Sequence, residues 1–257
     1  MKYCDCVFIP NYRKKNKKIL LSYGYFFGLY KSMGVEKYRD ILKNGYLKYR
    51  TTQKHGAELK KVLLHYKAMI QGYEDGKSEI EKRRYNAFVY KYMTDVCVGN
   101  KAIAAKLNVS KDTVNLDINY VIEKMLVLFF GVPALTNELK DSKAFLIRNV
   151  FDNICLLNNP LPESTLCIFG GYRDAVMEIR KVSSNFMKAF LDACNAYAED
   201  LNDAERQSTE SHRREVLLAR LEGKSYKNIA ADLQIDISLI YDISKENERR
   251  LAEMIFC

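Results

Sequence analysis

The sequence predicts an all-α protein, and three observations predict it. Only four prolines and twelve glycines interrupt 257 residues of which 48% are apolar. Runs of alternating polarity, which would signal strands, are few. Two stretches 126 residues apart also repeat one pattern that suits a short helix, a tight turn and a second helix. The pattern is Lys101-Ala102-Ile103-Ala104-Ala105-Lys106-Leu107-Asn108-Val109-Ser110, and it returns as Lys227-Asn228-Ile229-Ala230-Ala231-Asp232-Leu233-Gln234-Ile235-Asp236.

Each copy reads as a helix-turn-helix core. Two short helices crossing steeply need small side chains where their backbones approach, which the alanine pairs supply. Ile103 and Leu107, like Ile229 and Leu233, stand four residues apart and share one apolar face. Asn108 suits the left-handed backbone of a sharp turn, and Gln234 suits it less well. Val109 and Ile235 pack under the turn, Ser110 and Asp236 are good N-caps, and Val114 or Ile240 points inward from the second helix. Past the cap the copies are expected to slip by one residue, so that Asp117-Ile118 answers Asp242-Ile243. Both end in apolar runs, Met125 to Phe130 and Leu251 to Phe256, and each has a candidate supporting helix upstream, about Glu79 to Val96 and Arg206 to Glu222.

Four segments follow in chain order: a basic Tyr-rich helical segment (1–57), a first helix-turn-helix module (58–131), a helical connector (132–202) and a second module (203–257). The first 92 residues hold thirteen of the eighteen tyrosines, and these read as the aromatic faces of packed helices. Ile19 to Tyr30, although apolar, lacks a cleavage site and at 12 residues falls short of the ~20 that span a bilayer. It reads as a buried helix, and a cytoplasmic protein is expected. Gly170-Gly171, after the apolar Leu166 to Phe169, reads as a break between helices.

The repeated residues carry a resemblance. Leu221 to Ala230 is similar to the lead-in of a sigma-type helix-turn-helix, Ser110 to Ile118 resembles its recognition helix, and Phe129-Phe130-Gly131 resembles its usual end. About half of the chain thereby resembles the region 4 type, DNA-binding end of sigma factors and the sigma-factor-like regulators of phages and mobile elements of Gram-positive bacteria. The resemblance implies sequence-specific binding of double-stranded DNA, regulation of transcription and contact with RNA polymerase.

Modules of this kind lay the second helix in the major groove, its N-terminal residues reaching base edges. The outward candidates are Lys111, Asp112, Thr113, Asn115 and Asn119 in the first copy. In the second they are Ser238, Leu239, Tyr241 and Lys245, with Asp242 beside them. Lys111 suits guanine and Asn115 suits adenine. Ser110 is a cap first and a phosphate contact second. Two tethered modules would read two half-sites, and a homodimer stays open.

Charge supports a nucleic-acid partner, with a net +9 and a pI near 9.0. The first 100 residues hold 21 Lys or Arg against 9 Asp or Glu, a surplus of 12; the rest hold 20 against 23, a deficit of 3. The densest cluster, Arg13, Lys14, Lys15, Lys17 and Lys18, is a candidate phosphate-contacting arm, with a solvated surface as the plainer alternative. Acidic residues cut the other way: Asp112 and Asp117 in the first copy, and Asp242, Glu246 and Glu248 in the second, would repel phosphates. The second copy is therefore also open to a weaker half-site or a protein interface, and the alternative for the whole chain is a protein-binding module, an RNA polymerase adaptor or a phage-borne inhibitor, that uses the helix-turn-helix folds as scaffold.

Other classes lack their residues. Seven cysteines and the isolated histidines 55, 65 and 212 form no metal-ligand spacing. No Gly-rich phosphate loop or nucleophile elbow occurs. Neither an enzyme nor a cofactor is expected.

Overall fold

The computed structural model describes residues 56–72, 79–94, 98–135, 143–205 and 212–256, and the described chain is all-α. Ten α-helices follow one another: α1 (Gly56–Gly72), α2 (Glu79–Tyr92), α3 (Asn100–Leu107), α4 (Lys111–Phe130), α5 (Lys143–Asp152), α6 (Ile154–Asn158), α7 (Arg173–Glu205), α8 (Arg213–Leu221), α9 (Tyr226–Leu233) and α10 (Ile237–Phe256). Two 3₁₀ segments, Val132–Leu135 and Glu163–Tyr172, join them. The second of these contains Leu166 to Phe169 and Gly170-Gly171, so the apolar run there is helical and its glycines precede α7.

Helix α7, 33 residues and about 50 Å long, organises the rest. Its first turns bury Val176 and Ile179 in a core built from α1 (Val62, Tyr66), α2 (Ala87, Phe88), α3 (Ile103) and α4. Its later turns bury Phe186, Phe190, Cys194 and Tyr197 in a second core with Leu146, Val150 and Phe151 of α5, Leu217 of α8 and Leu251 and Phe256 of α10. Phe129 meets Phe169 edge-on at 4.9 Å in the first core; Phe151 meets Phe190 at 5.2 Å in the second. Val216, Ile229 and Ile240 close a small third core among α8, α9 and α10. The expected connector thus shares one core with the second module, and the expected edge at 202–203 falls inside α7.

Helix α4 shows why these residues become helix. Ser110 caps it, its Oγ accepting from the Thr113 amide at 3.0 Å. Val114, Ile118, Val121, Ile122 and Met125 then recur at helical spacing on the buried face. From Leu126 to Phe130 every residue is buried, which places the end of α4 inside the protein. Gly131 stops it at φ 68°, ψ −140°.

The supporting helices are shorter than the sequence suggests. Helix α2 ends at Tyr92, where Met93 and Thr94 still bond back to Val89 and Tyr90, and α8 starts at Arg213. Among the described residues, no helix is long and apolar enough to cross a membrane, and no group of three His, Cys, Asp or Glu is placed to hold a metal ion. The cluster Arg13, Lys14, Lys15, Lys17 and Lys18 lies outside the described residues.

Candidate nucleic-acid interface

Helices α3 and α4 form one pair, α9 and α10 another, and the pairs correspond in register along the sequence. Eight residues of α3 (from Asn100) answer eight of α9 (from Tyr226), and twenty of α4 (from Lys111) answer twenty of α10 (from Ile237). Asn108 (φ 53°, ψ 47°) and Gln234 (φ 56°, ψ 37°) both take the left-handed conformation at the turn. In each, the next amide bonds back across the turn, Val109 to the Ala104 carbonyl at 3.0 Å and Ile235 to that of Ala230 at 3.1 Å. Gln234 adopts this backbone despite its poorer intrinsic fit, because these bonds and the Ile235 anchor hold the turn.

This register corrects the expected one-residue slip. Val114 answers Ile240, Ile118 answers Ser244, Met125 answers Leu251 and Phe130 answers Phe256, every one of them buried. The Asp-Ile match misleads because Asp117 faces inward while Asp242 is exposed. Only one alanine of each pair sits near the helix crossing. Ala104 is buried and Ala230 half-buried, whereas Ala105 and Ala231 are exposed.

The acidic residues also sort differently from their expected role. Asp117 is 3% exposed and takes both Arg83 donors, Nε at 2.7 Å and Nη2 at 3.0 Å, which ties α2 to α4. This contact holds the Arg83 guanidinium above its ordinary pKa, chiefly through the hydrogen bond to Asp117. Glu248, 1% exposed, bonds Arg148 at 2.8 Å and accepts from the Tyr226 hydroxyl at 3.2 Å. Glu246 pairs with Arg249 at 2.6 Å. None of these three presents a bare charge to a phosphate; Asp112 and Asp242 are exposed.

On the first pair, Lys111, Asp112 and Asn119 are exposed along the N-terminal half of α4. Thr113 is half-buried, its hydroxyl 2.9 Å from the exposed Ser110 cap. Asn115 is half-buried and accepts from the Asn100 amide, which locks α3 to α4. Leu116, between the polar candidates, is 70% exposed. Lys101 and Lys106 are exposed on α3, the Lys106 ammonium 4.0 Å above the Tyr90 ring. Lys101, seven residues before Asn108, marks the repeat, whereas Lys106, two residues before it, is answered by Asp232; neither is among the residues expected to contact DNA.

The second pair presents a different surface on the same frame. Ser238 is exposed, and both its amide and its hydroxyl bond the Asp236 carboxylate, at 2.7 and 2.5 Å. This holds that carboxyl below the usual aspartate range. Leu239 (45%), Tyr241 (52%) and Ile237 (40%) are exposed apolar side chains, and Lys245 is exposed beyond them. Where the first pair has Lys106 and Lys111, the second has Asp232 and Ile237. Asp232 holds Lys224 at 2.8 Å. Tyr226 and Tyr241, which answer Asn100 and Asn115, lock α9 to α10 by ring contact at 4.5 Å instead of an amide bond.

Ion pairs tie α5 to two helices here: Arg148 to Glu248 of α10, and Asp152 to Arg220 of α8. Arg220 is 5% exposed, donates to the Lys224 carbonyl at 3.2 Å and lies 4.4 Å from the Tyr226 ring. Compared with protein-family models, curated proteins and solved structures, the chain matches none.

Proposed function

We propose that this chain is a sequence-specific, DNA-binding transcriptional regulator of sigma-factor-like type. The observation that carries the reading is the N-terminal half of α4, capped and locked in place, with Lys111 and Asn119 exposed on it, Asn115 half-buried on it, and Lys101 and Lys106 exposed on α3. Laid in the major groove, the Lys111 ammonium donates to guanine O6 and N7. Asn115 retains both parts of an adenine contact. Its Nδ2 can donate to N7, and its Oδ1, with two lone pairs, accepts from N6 while still holding Asn100. Ser110, Lys101 and Lys106 meet phosphates and set the register. Arg83 on Asp117 keeps α4 from rocking on its support, so the reading residues are held on a rigid element. No catalytic step belongs to this reading.

Two pairs in one chain read two half-sites, with Ser238, Tyr241 and Lys245 reading the second. The exposed Ile237, Leu239 and Tyr241, set among Asp232, Asp236 and Asp242, favour a second reading for α10: docking on a protein such as an RNA polymerase subunit while α4 holds DNA. Selection of bound fragments from randomised duplex DNA at ~0.15 M salt tests both. A two-part motif supports half-site reading by both pairs, and a one-part motif assigns α10 to protein. Lys111→Ala with Asn115→Ala removes specific binding, and Lys101→Ala alone weakens binding to all sequences and lowers the salt slope by about one. No enriched motif overturns the DNA reading.

A further inference from the structure

Leu116 is 70% exposed, more than any other large apolar side chain among the described residues. Single apolar side chains on a surface are ordinary. What sets this one apart is its place in the second turn of α4. Asp112, Leu116 and Asn119, at i, i+4 and i+7, share one exposed stripe of the helix. Both sequence neighbours of Leu116 are tied down: Asn115 accepts from Asn100 on α3, and Asp117 holds Arg83 on α2. Val114, Ile118 and Val121 fill the inward face. Helix α4 therefore cannot roll to bring Leu116 against the core without breaking both contacts and exposing those three side chains.

Leucine has no donor or acceptor to offer the amino, carbonyl and ring-nitrogen groups of a major groove. The apolar group that base edges present there is the C5-methyl of thymine. We propose that Leu116 is a specificity-determining residue that packs on the C5-methyl of a thymine in the half-site under α4. The inference rests on the DNA reading of α4 and adds a base preference that Lys111 and Asn115 do not supply. Those two read guanine and adenine by hydrogen bonds, whereas Leu116 reads by removing two apolar groups from water. The answering residue on α10 is Asp242, an exposed acid, so the second pair lacks this contact at that position.

Replacing thymine by deoxyuridine removes the methyl and keeps every hydrogen-bonding group of the base. In the duplex that the full chain enriches from randomised DNA, each thymine is replaced in turn, and affinities are measured by fluorescence anisotropy for the native chain, Leu116→Ala and Leu116→Met. At one thymine the native chain is expected to lose about fourfold in affinity, the worth of one buried methyl group. Leu116→Ala is expected to be indifferent to the replacement there and to keep the native salt slope, because no phosphate contact is lost. Leu116→Met, which keeps an apolar side chain, is expected to retain the preference for thymine. The exposure of Leu116 leaves the helical circular dichroism of both variants unchanged. No methyl-sensitive thymine, or a methyl effect that persists in Leu116→Ala, overturns the proposal and leaves the DNA reading standing. Failure to enrich any duplex overturns the DNA reading and this inference with it.

Discussion

Gly131→Ala isolates what the end of α4 needs. Gly131 lies at φ 68°, ψ −140°, a conformation that only glycine adopts readily. A β-carbon there would fall 1.9 Å from Ser183 Oγ and 2.7 Å from Ser183 Cβ on α7. The same Oγ accepts from the buried Val132 amide at 2.8 Å, so moving Ser183 aside breaks that bond. Backbone strain contributes about 1–3 kcal/mol. An orphaned buried amide contributes about 1–3 kcal/mol more. We therefore expect Gly131→Ala to destabilise the protein by about 3–5 kcal/mol in urea unfolding monitored by circular dichroism. Ser183→Ala alone should cost about 1–2 kcal/mol, since the amide is orphaned without a clash. Ser183→Ala orphans the same amide that Gly131→Ala orphans, so the two changes together should fall short of the sum of their single losses by about 1 kcal/mol or more. A loss below about 1 kcal/mol for Gly131→Ala, or strictly additive losses in the double variant, would refute the reasoning.

Three further outcomes follow from the same geometry. Gln234→Gly should stabilise by about 0.5–1 kcal/mol, the relief of a left-handed non-glycine residue less the entropy that glycine costs, with a smaller gain for Asn108→Gly; thermal unfolding that gives a loss at Gln234 counts against it. Arg148→Met strands the buried Glu248 carboxylate and should cost about 2–3 kcal/mol, below the full buried-pair figure because the Arg148 side chain is 42% exposed. Adding Glu248→Gln should return part of this, and strict additivity in denaturant titrations would show that the pair is not coupled. The Asp236 carboxyl is depressed by its bonds to Ser238, so its folded pKa lies below the unfolded value of ~3.9. Its stabilisation is therefore present above that value and lost as pH falls through the folded pKa. The Tm difference between the native chain and Asp236→Asn should hold constant near neutrality and shift against the native chain in acid; a difference unchanged down to pH ~2.5 would remove the cap from the account.

Much of both helix pairs was legible in the residues. The caps Ser110 and Asp236, the inward Ile103, Ile229, Val114 and Ile240, and the turn at Asn108 follow from interactions within a few residues of sequence, where helical geometry leaves little choice. The all-α class followed from the same local signals. The slip past the cap misread a chance Asp-Ile match, since no neighbouring residue marks Asp117 as inward. What buries it is Arg83, 34 residues away on α2.

The candidate interface divides in the same way. Lys111, Asn115 and Asn119 could be placed outward by counting from the cap, but the charge balance of the two faces could not be read from composition. Asp117, Glu246 and Glu248 look like exposed acids in sequence, and partners on this or another helix neutralise each of them. By itself, then, the sequence determined the helical class, where the two repeated pairs start and turn, and that one pattern occurs twice, because those outcomes rest on contacts spanning one or two helical turns. Only the tertiary structure decided which acids are paired and how α7 joins the two cores. Those depend on burial and on partners up to 100 residues away, as Arg148 is from Glu248, and no local pattern encodes them.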